Sequence, residues 1–85
     1  MYRILFTKQA DKTFRKMPRN TAQIIREKLA QLAVDPYARN PNVTKLQGRP
    51  GYRLRVGDWR VIYEIEDDWL IILVLKIAPR GGAYR

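Results

Sequence analysis

The sequence predicts an α+β fold of order β-α-α-β-β-β, in which two N-terminal helices cover one face of a small antiparallel sheet. One strand pattern and two helical apolar periodicities occupy the N-terminal half. A segment with three prolines and two glycines follows at residues 36–51, and three strand patterns in close succession lie beyond it. Short connections favour an antiparallel meander, and the helices need a sheet face to cover. We expect one domain, residues 1–85.

The first two elements are a short strand and a short helix. Apolar residues alternate over residues 2–6, which predicts a strand with one buried face. Thr7 is the expected N-cap of the helix that follows. Ala10, Phe14 and Met17 form one apolar stripe of that helix, and Pro18 ends it.

The second helix is expected to begin at Asn20, because Gln23 lies three residues on, as in a capping box. Asp35-Pro36 ends it. Its expected core-facing residues are Ala22, Ile25, Leu29, Leu32 and Ala33.

The C-terminal half contains three predicted strands, over residues 52–56, 59–65 and 69–77. A brief extended piece is expected at residues 43–46 within the preceding loop. Residues 69–77 are apolar at nearly every position, which indicates a strand at least partly covered on both faces. A partner protein is one candidate for the cover on the side away from the helices.

The turn between the first two of these strands determines their register. Gly57-Asp58 is typical of a two-residue hairpin turn in which glycine supplies a positive φ. This turn places Arg55 opposite Arg60, and Arg53 falls on the same face. The other face is predicted to lie under the helices and carries Tyr52, Leu54, Val56, Trp59, Val61 and Tyr63.

The clustered arginines have two interpretations. Like charges placed directly opposite each other destabilise a hairpin, so stability alone does not explain the pair. The cluster is either a solubilising choice on an exposed face or a preorganised phosphate clamp, since arginine forks match phosphate oxygens and stay charged.

Two residues after the last strand are further candidates. Arg80 lies on the face of Arg60 if the preceding turn has three residues, and on the other face if it has two; the sequence leaves this open. Tyr84 either closes the edge of the core or has a functional role, with its phenol stacked on a base or positioned at the reacting phosphate.

Composition excludes several classes of function. The chain has no cysteine and no histidine, so thiol nucleophiles, disulfides and histidine acid–base chemistry are absent. Eight scattered carboxylates make a metal cage improbable, and we expect neither metal nor cofactor. Seventeen basic residues, eleven of them arginine, give a net charge of +9, which implies an anionic partner. No apolar run is long enough for a signal peptide or a membrane span, so we expect a cytoplasmic protein.

The pattern over essentially the whole chain resembles the RelE/ParE toxin superfamily of bacterial and archaeal toxin–antitoxin systems. The resemblance is most specific in the middle of the three blocks that carry it. These blocks are Lys45-Leu46-Gln47-Gly48, Tyr52-Arg53-Leu54-Arg55-Val56-Gly57-Asp58-Trp59-Arg60-Val61-Ile62-Tyr63-Glu64-Ile65, and Lys76-Ile77-Ala78-Pro79-Arg80 with Tyr84.

RelE-like members are ribosome-dependent endoribonucleases that cut mRNA in the A site without a metal. The ribose 2′-hydroxyl attacks the adjacent phosphate, which requires a base, cations for the phosphorane charge and an acid for the leaving 5′-oxygen. The resemblance implies that Arg60 binds the transition-state phosphate, Arg80 stabilises charge or donates a proton, and Arg55 holds the phosphate or 2′-oxygen. Tyr84 would stack on a base, and Arg53 and Lys45 would contact RNA.

The sequence departs from the family at two of these positions. Arg53 and Arg55 stand where the family often has lysine, and guanidinium does not act as a general base in proteins. Two alternatives follow: a ParE-like toxin that poisons DNA gyrase without cutting RNA, and a noncatalytic basic domain that binds RNA or ribosomes by charge. Either toxin would have a cognate antitoxin with an acidic, amphipathic segment.

Overall fold

The computed structural model describes residues 1–81 and confirms the α+β fold class. Two helices pack on one face of a five-stranded sheet. The elements are β1 Arg3–Phe6, α1 Lys8–Lys16, α2 Arg19–Val34, β2 Val43–Lys45, β3 Tyr52–Val56, β4 Trp59–Glu66 and β5 Ile71–Pro79, with a 3₁₀ turn at Asp67–Trp69. None of the described helices is long and apolar enough to cross a membrane.

The sheet is mixed, whereas an antiparallel sheet was expected. The strand order is β1-β5-β4-β3-β2; the last four strands of the chain form the antiparallel meander, and β1 pairs with β5 in parallel. The physical reason is that no hairpin turn joins β1 to β5, since two helices and three strands lie between them along the chain. Only a tight turn requires consecutive neighbours to be antiparallel.

The junction between the helices differs from the expected capping box. Pro18, with φ −55°, occupies the N-cap position of α2 and no side chain caps the helix there, so the helix begins at Arg19. The Gln23 amide instead donates to Glu27 Oε1 at 3.3 Å, one turn further along. Because proline restricts φ to a value that suits the entry to a helix, α2 starts without the box predicted at Asn20.

Thr7 caps α1 as predicted and also ties the helix to the sheet. Its Oγ1 accepts a hydrogen bond from the Ala10 N–H at 3.2 Å and donates to the Leu75 carbonyl at 2.9 Å. The cap therefore satisfies one N–H of the first helical turn and fixes where α1 lies on β5.

Replacing Thr7 with alanine is expected to lower the free energy of unfolding by about 1–2 kcal/mol, because the Ala10 N–H loses its acceptor and the Leu75 carbonyl its donor. Urea denaturation measures the change. Thr7→Ser keeps the hydroxyl, so its free energy of unfolding should stay within a few tenths of a kcal/mol of the wild-type value. An equal loss in both variants would contradict the capping role.

The core lies between the helices and the predicted face of the hairpin. Leu54, Val61 and Tyr63 are fully buried there, and the Tyr63 ring stacks on Tyr52 with centroids 5.6 Å apart. A smaller cluster on the opposite sheet face comprises Ile62, Ala78, Leu46 and Leu75. The hairpin strands thus separate their side chains between the two faces as predicted.

Burial raises the pKa of Tyr63 to about 12, and the neighbouring Tyr52 contributes to the shift. The folded chain then holds this proton more tightly than the unfolded chain, whose tyrosines titrate near 10. The stability contributed by this pKa shift is fully present below about pH 10 and is lost as the pH rises towards 12.

The variant Tyr63→Phe removes this dependence. As the pH rises from 9 to 11, wild type should lose about 1 kcal/mol more of its unfolding free energy than Tyr63→Phe does. Urea titrations at the two pH values provide the comparison, and a constant difference between the proteins would refute the expectation.

Candidate nucleic-acid interface

The β3–β4 hairpin has the predicted register. Val56 pairs with Trp59 and Arg55 with Arg60 across the two-residue turn, where Gly57 has a φ of +58°. Arg53 lies opposite Ile62 on the same face. We call this face, directed away from the helices, the arginine face.

A β-bulge interrupts the pairing of β4 with β5. Tyr63 pairs with Val74, but its neighbour Ile62 pairs with Lys76, so Leu75 is an extra residue on β5. An extra residue reverses the alternation of side chains along the rest of its strand.

The bulge places the end of β5 on the arginine face. Ahead of it, even-numbered residues of β5 lie in the core, whereas beyond it Ile77 is in the core and Ala78 lies opposite Arg60. Arg80, two residues on, shares that face, and its backbone N–H donates to the Asp58 carbonyl at 2.7 Å. The sequence left open on which face of the sheet Arg80 lies, and the bulge, rather than the length of the preceding turn, decides it.

Four arginines converge on one open pocket of about 360 Å³. They come from β3, β4 and the residue that follows β5. The lining residues are Arg53, Arg55, Arg60, Arg80, Pro41, Asn42 and Thr44. We call this site the arginine pocket.

Neutral oxygens hold two of these guanidinium groups. Arg55 donates from Nη2 to Asn42 Oδ1 at 3.1 Å, and Arg60 donates from Nη1 to the carbonyls of Gly57 and Trp59, each at 2.9 Å. None of the lining residues is acidic. Neutral acceptors orient a guanidinium without cancelling its charge, and several N–H donors of each group stay available to an anion.

The structure separates Lys45 from the arginine pocket. Lys45 pairs with Tyr52 across β2 and β3, and it lines an adjoining pocket instead. Thr44, which pairs with Arg53, is the β2 residue on the arginine face. The candidate Tyr84 lies outside the described residues.

Sequence reasoning missed Asn42 and Thr44. The extended piece at residues 43–46 was a usable signal, because pairing it with the next strand brings its start beside Arg55. The backbone N–H of Arg55 donates to the backbone carbonyl of Asn42 at 2.9 Å, which confirms that pairing. Within residues 1–81, no group of three or more acidic, histidine or cysteine side chains is arranged to hold a metal ion.

These features define a class: a small basic α+β protein with an arginine-lined pocket on the sheet face opposite its helices. The family model described as "ParE toxin of type II toxin-antitoxin system, parDE" matches residues 4–84. A protein of Methanocaldococcus jannaschii named RelE1 is 30% identical over 80 residues, which cover 92% of this chain and 89% of that protein.

Solved structures of toxin–antitoxin complexes have a similar fold. RelE in the archaeal RelE–RelB complex from Pyrococcus horikoshii superposes with a TM-score of 0.80 at 34% identity, covering 94% of this chain and 96% of that one. The intact E. coli RelBE toxin–antitoxin complex gives 0.81 at 23% identity, covering 95% and 98%, and shows the same fold. The chain belongs to the RelE/ParE superfamily of type II toxins.

Proposed function

We propose that this protein is a RelE-like mRNA interferase: a ribosome-dependent endoribonuclease that cuts mRNA in the A site without a metal and so inhibits translation. The observation that carries the proposal is the convergence of four arginines on a pocket with no acidic lining residue. A site of this kind suits an RNA phosphate whose negative charge increases during reaction. Action on translating ribosomes would place the protein in the cytoplasm.

In the proposed reaction the ribose 2′-oxygen forms a bond to the adjacent phosphorus while the bond to the 5′-oxygen breaks. The 2′-hydroxyl releases its proton to water and the leaving 5′-oxygen takes one up from water, so the products are a 2′,3′-cyclic phosphate and a 5′-hydroxyl. Arg60, fixed by two backbone carbonyls, would bind the non-bridging oxygens, and Arg80 would neutralise charge from the far side of the pocket. Arg55, oriented by Asn42, would hold the phosphate or the 2′-oxygen.

The arginines do not serve as the general base, because guanidinium stays protonated in proteins. They would instead favour the 2′-alkoxide by placing positive charge beside it, which lowers the pKa of the hydroxyl. Tyr84 remains the proposed base-stacking residue, and Arg53 contacts RNA from the strand next to Arg60.

We also propose a cognate antitoxin as the protein's partner. The E. coli and Pyrococcus horikoshii relatives are described in complexes with RelB. A net charge of +9 suits an acidic, amphipathic segment that covers the arginine face and suppresses activity.

A ParE-like toxin that poisons DNA gyrase is the second candidate, because the matching family model is described as a ParE toxin. One experiment separates the two. The protein, Arg60→Ala and Arg80→Ala are induced in cells, 5′ ends are mapped on a translated message, and gyrase–DNA complexes are trapped in parallel. Arg19→Ala is the matched control, since Arg19 is an exposed arginine at the start of α2.

Codon-phased cuts that vanish in the two pocket variants and persist in Arg19→Ala support the interferase. Trapped gyrase complexes without RNA cuts would assign the protein to the ParE-like class instead. Binding to ribosomes with neither outcome would leave only a basic binding domain.

A further inference from the structure

A second pocket of about 440 Å³ adjoins the arginine pocket. The two share Thr44 and Arg53, so together they form one groove. The other residues that line the second pocket are Lys45, Leu46, Gln47, Arg49 and Ile62.

The second pocket differs chemically from the first. The half-buried Leu46, packed on the buried Ile62, gives it an apolar floor. Exposed Lys45 and Arg49 lie at its rim with the Gln47 amide, which both donates and accepts hydrogen bonds. A flat apolar ring with polar edges and an attached anion matches this combination; a bare phosphate would leave the floor unused.

The loop that builds this pocket contains a backbone hydrogen bond and two glycines with positive φ. The Leu46 N–H donates to the Gly51 carbonyl at 3.0 Å and closes the loop between β2 and β3. Gly48 and Gly51 adopt φ values of +74° and +111°, which side-chain-bearing residues rarely adopt. Gln47 and Arg49 flank Gly48 in this closed loop and both line the second pocket.

We propose that the second pocket binds the nucleotide next to the scissile phosphate of single-stranded RNA, a step that rests on the proposed function. The base lies on Leu46, which packs on the buried Ile62; the Gln47 amide hydrogen-bonds the edge of the base, and Arg49 faces its phosphate. Alternate residues of a strand are spaced by about 6.6–6.8 Å, so Arg55 and Arg53 can each contact one of two consecutive phosphates. Gln47 and Arg49 thereby become determinants of RNA recognition outside the reacting centre.

Short RNA tetranucleotides with 2′-O-methyl riboses test this proposal, because they bind without being cut. Fluorescence anisotropy gives their affinity for wild type, Gln47→Ala, Arg49→Ala, Arg60→Ala and Arg19→Ala over a range of salt concentrations. Arg49→Ala should weaken every sequence on the order of fivefold and reduce the salt slope by about 1. Gln47→Ala should reduce the spread of affinities among base sequences about fivefold or more, with the salt slope unchanged.

The outcomes separate the two proposals. If Gln47→Ala and Arg49→Ala both bind like Arg19→Ala while Arg60→Ala is weakened, the second pocket is not a nucleotide subsite and the proposed function stands. The proposed function is tested separately, by the mapped RNA cuts of Arg60→Ala and Arg80→Ala, because Arg60 is proposed to act on charge that develops during reaction. A poly-glutamate peptide that binds with the same dependence on Gln47 would overturn the nucleotide in favour of an acidic protein segment. Thermal melts of the variants, all at exposed or half-exposed positions, show whether each is folded.

Discussion

Replacing Arg60 with alanine is expected to slow RNA cleavage by about 100- to 1000-fold, the usual effect of removing one donor to developing negative charge. Arg60 is the pocket arginine whose Nη1 is fixed by two backbone carbonyls, at 2.9 Å each, within its own hairpin. Because these contacts hold the guanidinium at the pocket, we expect its remaining donors to meet developing charge with little rearrangement. Single-turnover cleavage of a programmed ribosome measures the rate directly.

The same change should leave the protein folded. Arg60 lies opposite Arg55, so its removal relieves a repulsion while it loses the contacts to the turn. We expect these effects to offset, with the free energy of unfolding changed by less than about 1 kcal/mol. Arg60→Lys keeps the charge but loses the fork and should fall between wild type and alanine. Wild-type cleavage by a folded Arg60→Ala protein would show that the reaction occurs elsewhere.

The second large effect is on stability. Gly51→Ala should lower the free energy of unfolding by about 2–4 kcal/mol. A β-carbon at Gly51 would lie 2.9 Å from the Tyr63 backbone carbonyl, at a φ of +111° that alanine rarely adopts. The carbonyl belongs to β4 and has no free rotation with which to yield, so the loop would have to move away from the sheet.

Gly48→Ala is the matched control for this prediction. Gly48 has a φ of +74° in the same loop, but nothing lies within 4 Å of an added β-carbon. It should cost only the left-handed conformation, about 1 kcal/mol. Equal losses in the two variants by urea denaturation would mean that the close approach to Tyr63 has no energetic consequence.

Local patterns predicted the parts of this fold that depend on neighbouring residues. Gly57-Asp58 was sufficient to fix the β3–β4 register, and Thr7 to fix the start of α1, because a turn or a cap is determined by a few adjacent residues. The capping box at Asn20 failed because Pro18, two residues earlier, already permits the helix to begin.

The site was predicted only as far as the hairpin extends. The position of Arg80 depends on a bulge at Leu75, and alternation along an almost uniformly apolar strand gives no sign of one. Asn42 joins the pocket through the pairing of a three-residue edge strand, which is a long-range contact. The parallel pairing of β1 with β5 is likewise a property of the whole chain rather than of either strand.

The extra residue in β5 makes the chain sensitive to single-residue changes in length. Deleting one residue between positions 71 and 79 would reverse the sheet face of each later residue in the strand. Arg80 would then project towards the helices. Length changes in this strand would therefore have to come in pairs to preserve the pocket. Homologues are therefore expected to keep both the buried residues of β5 and its odd-and-even count.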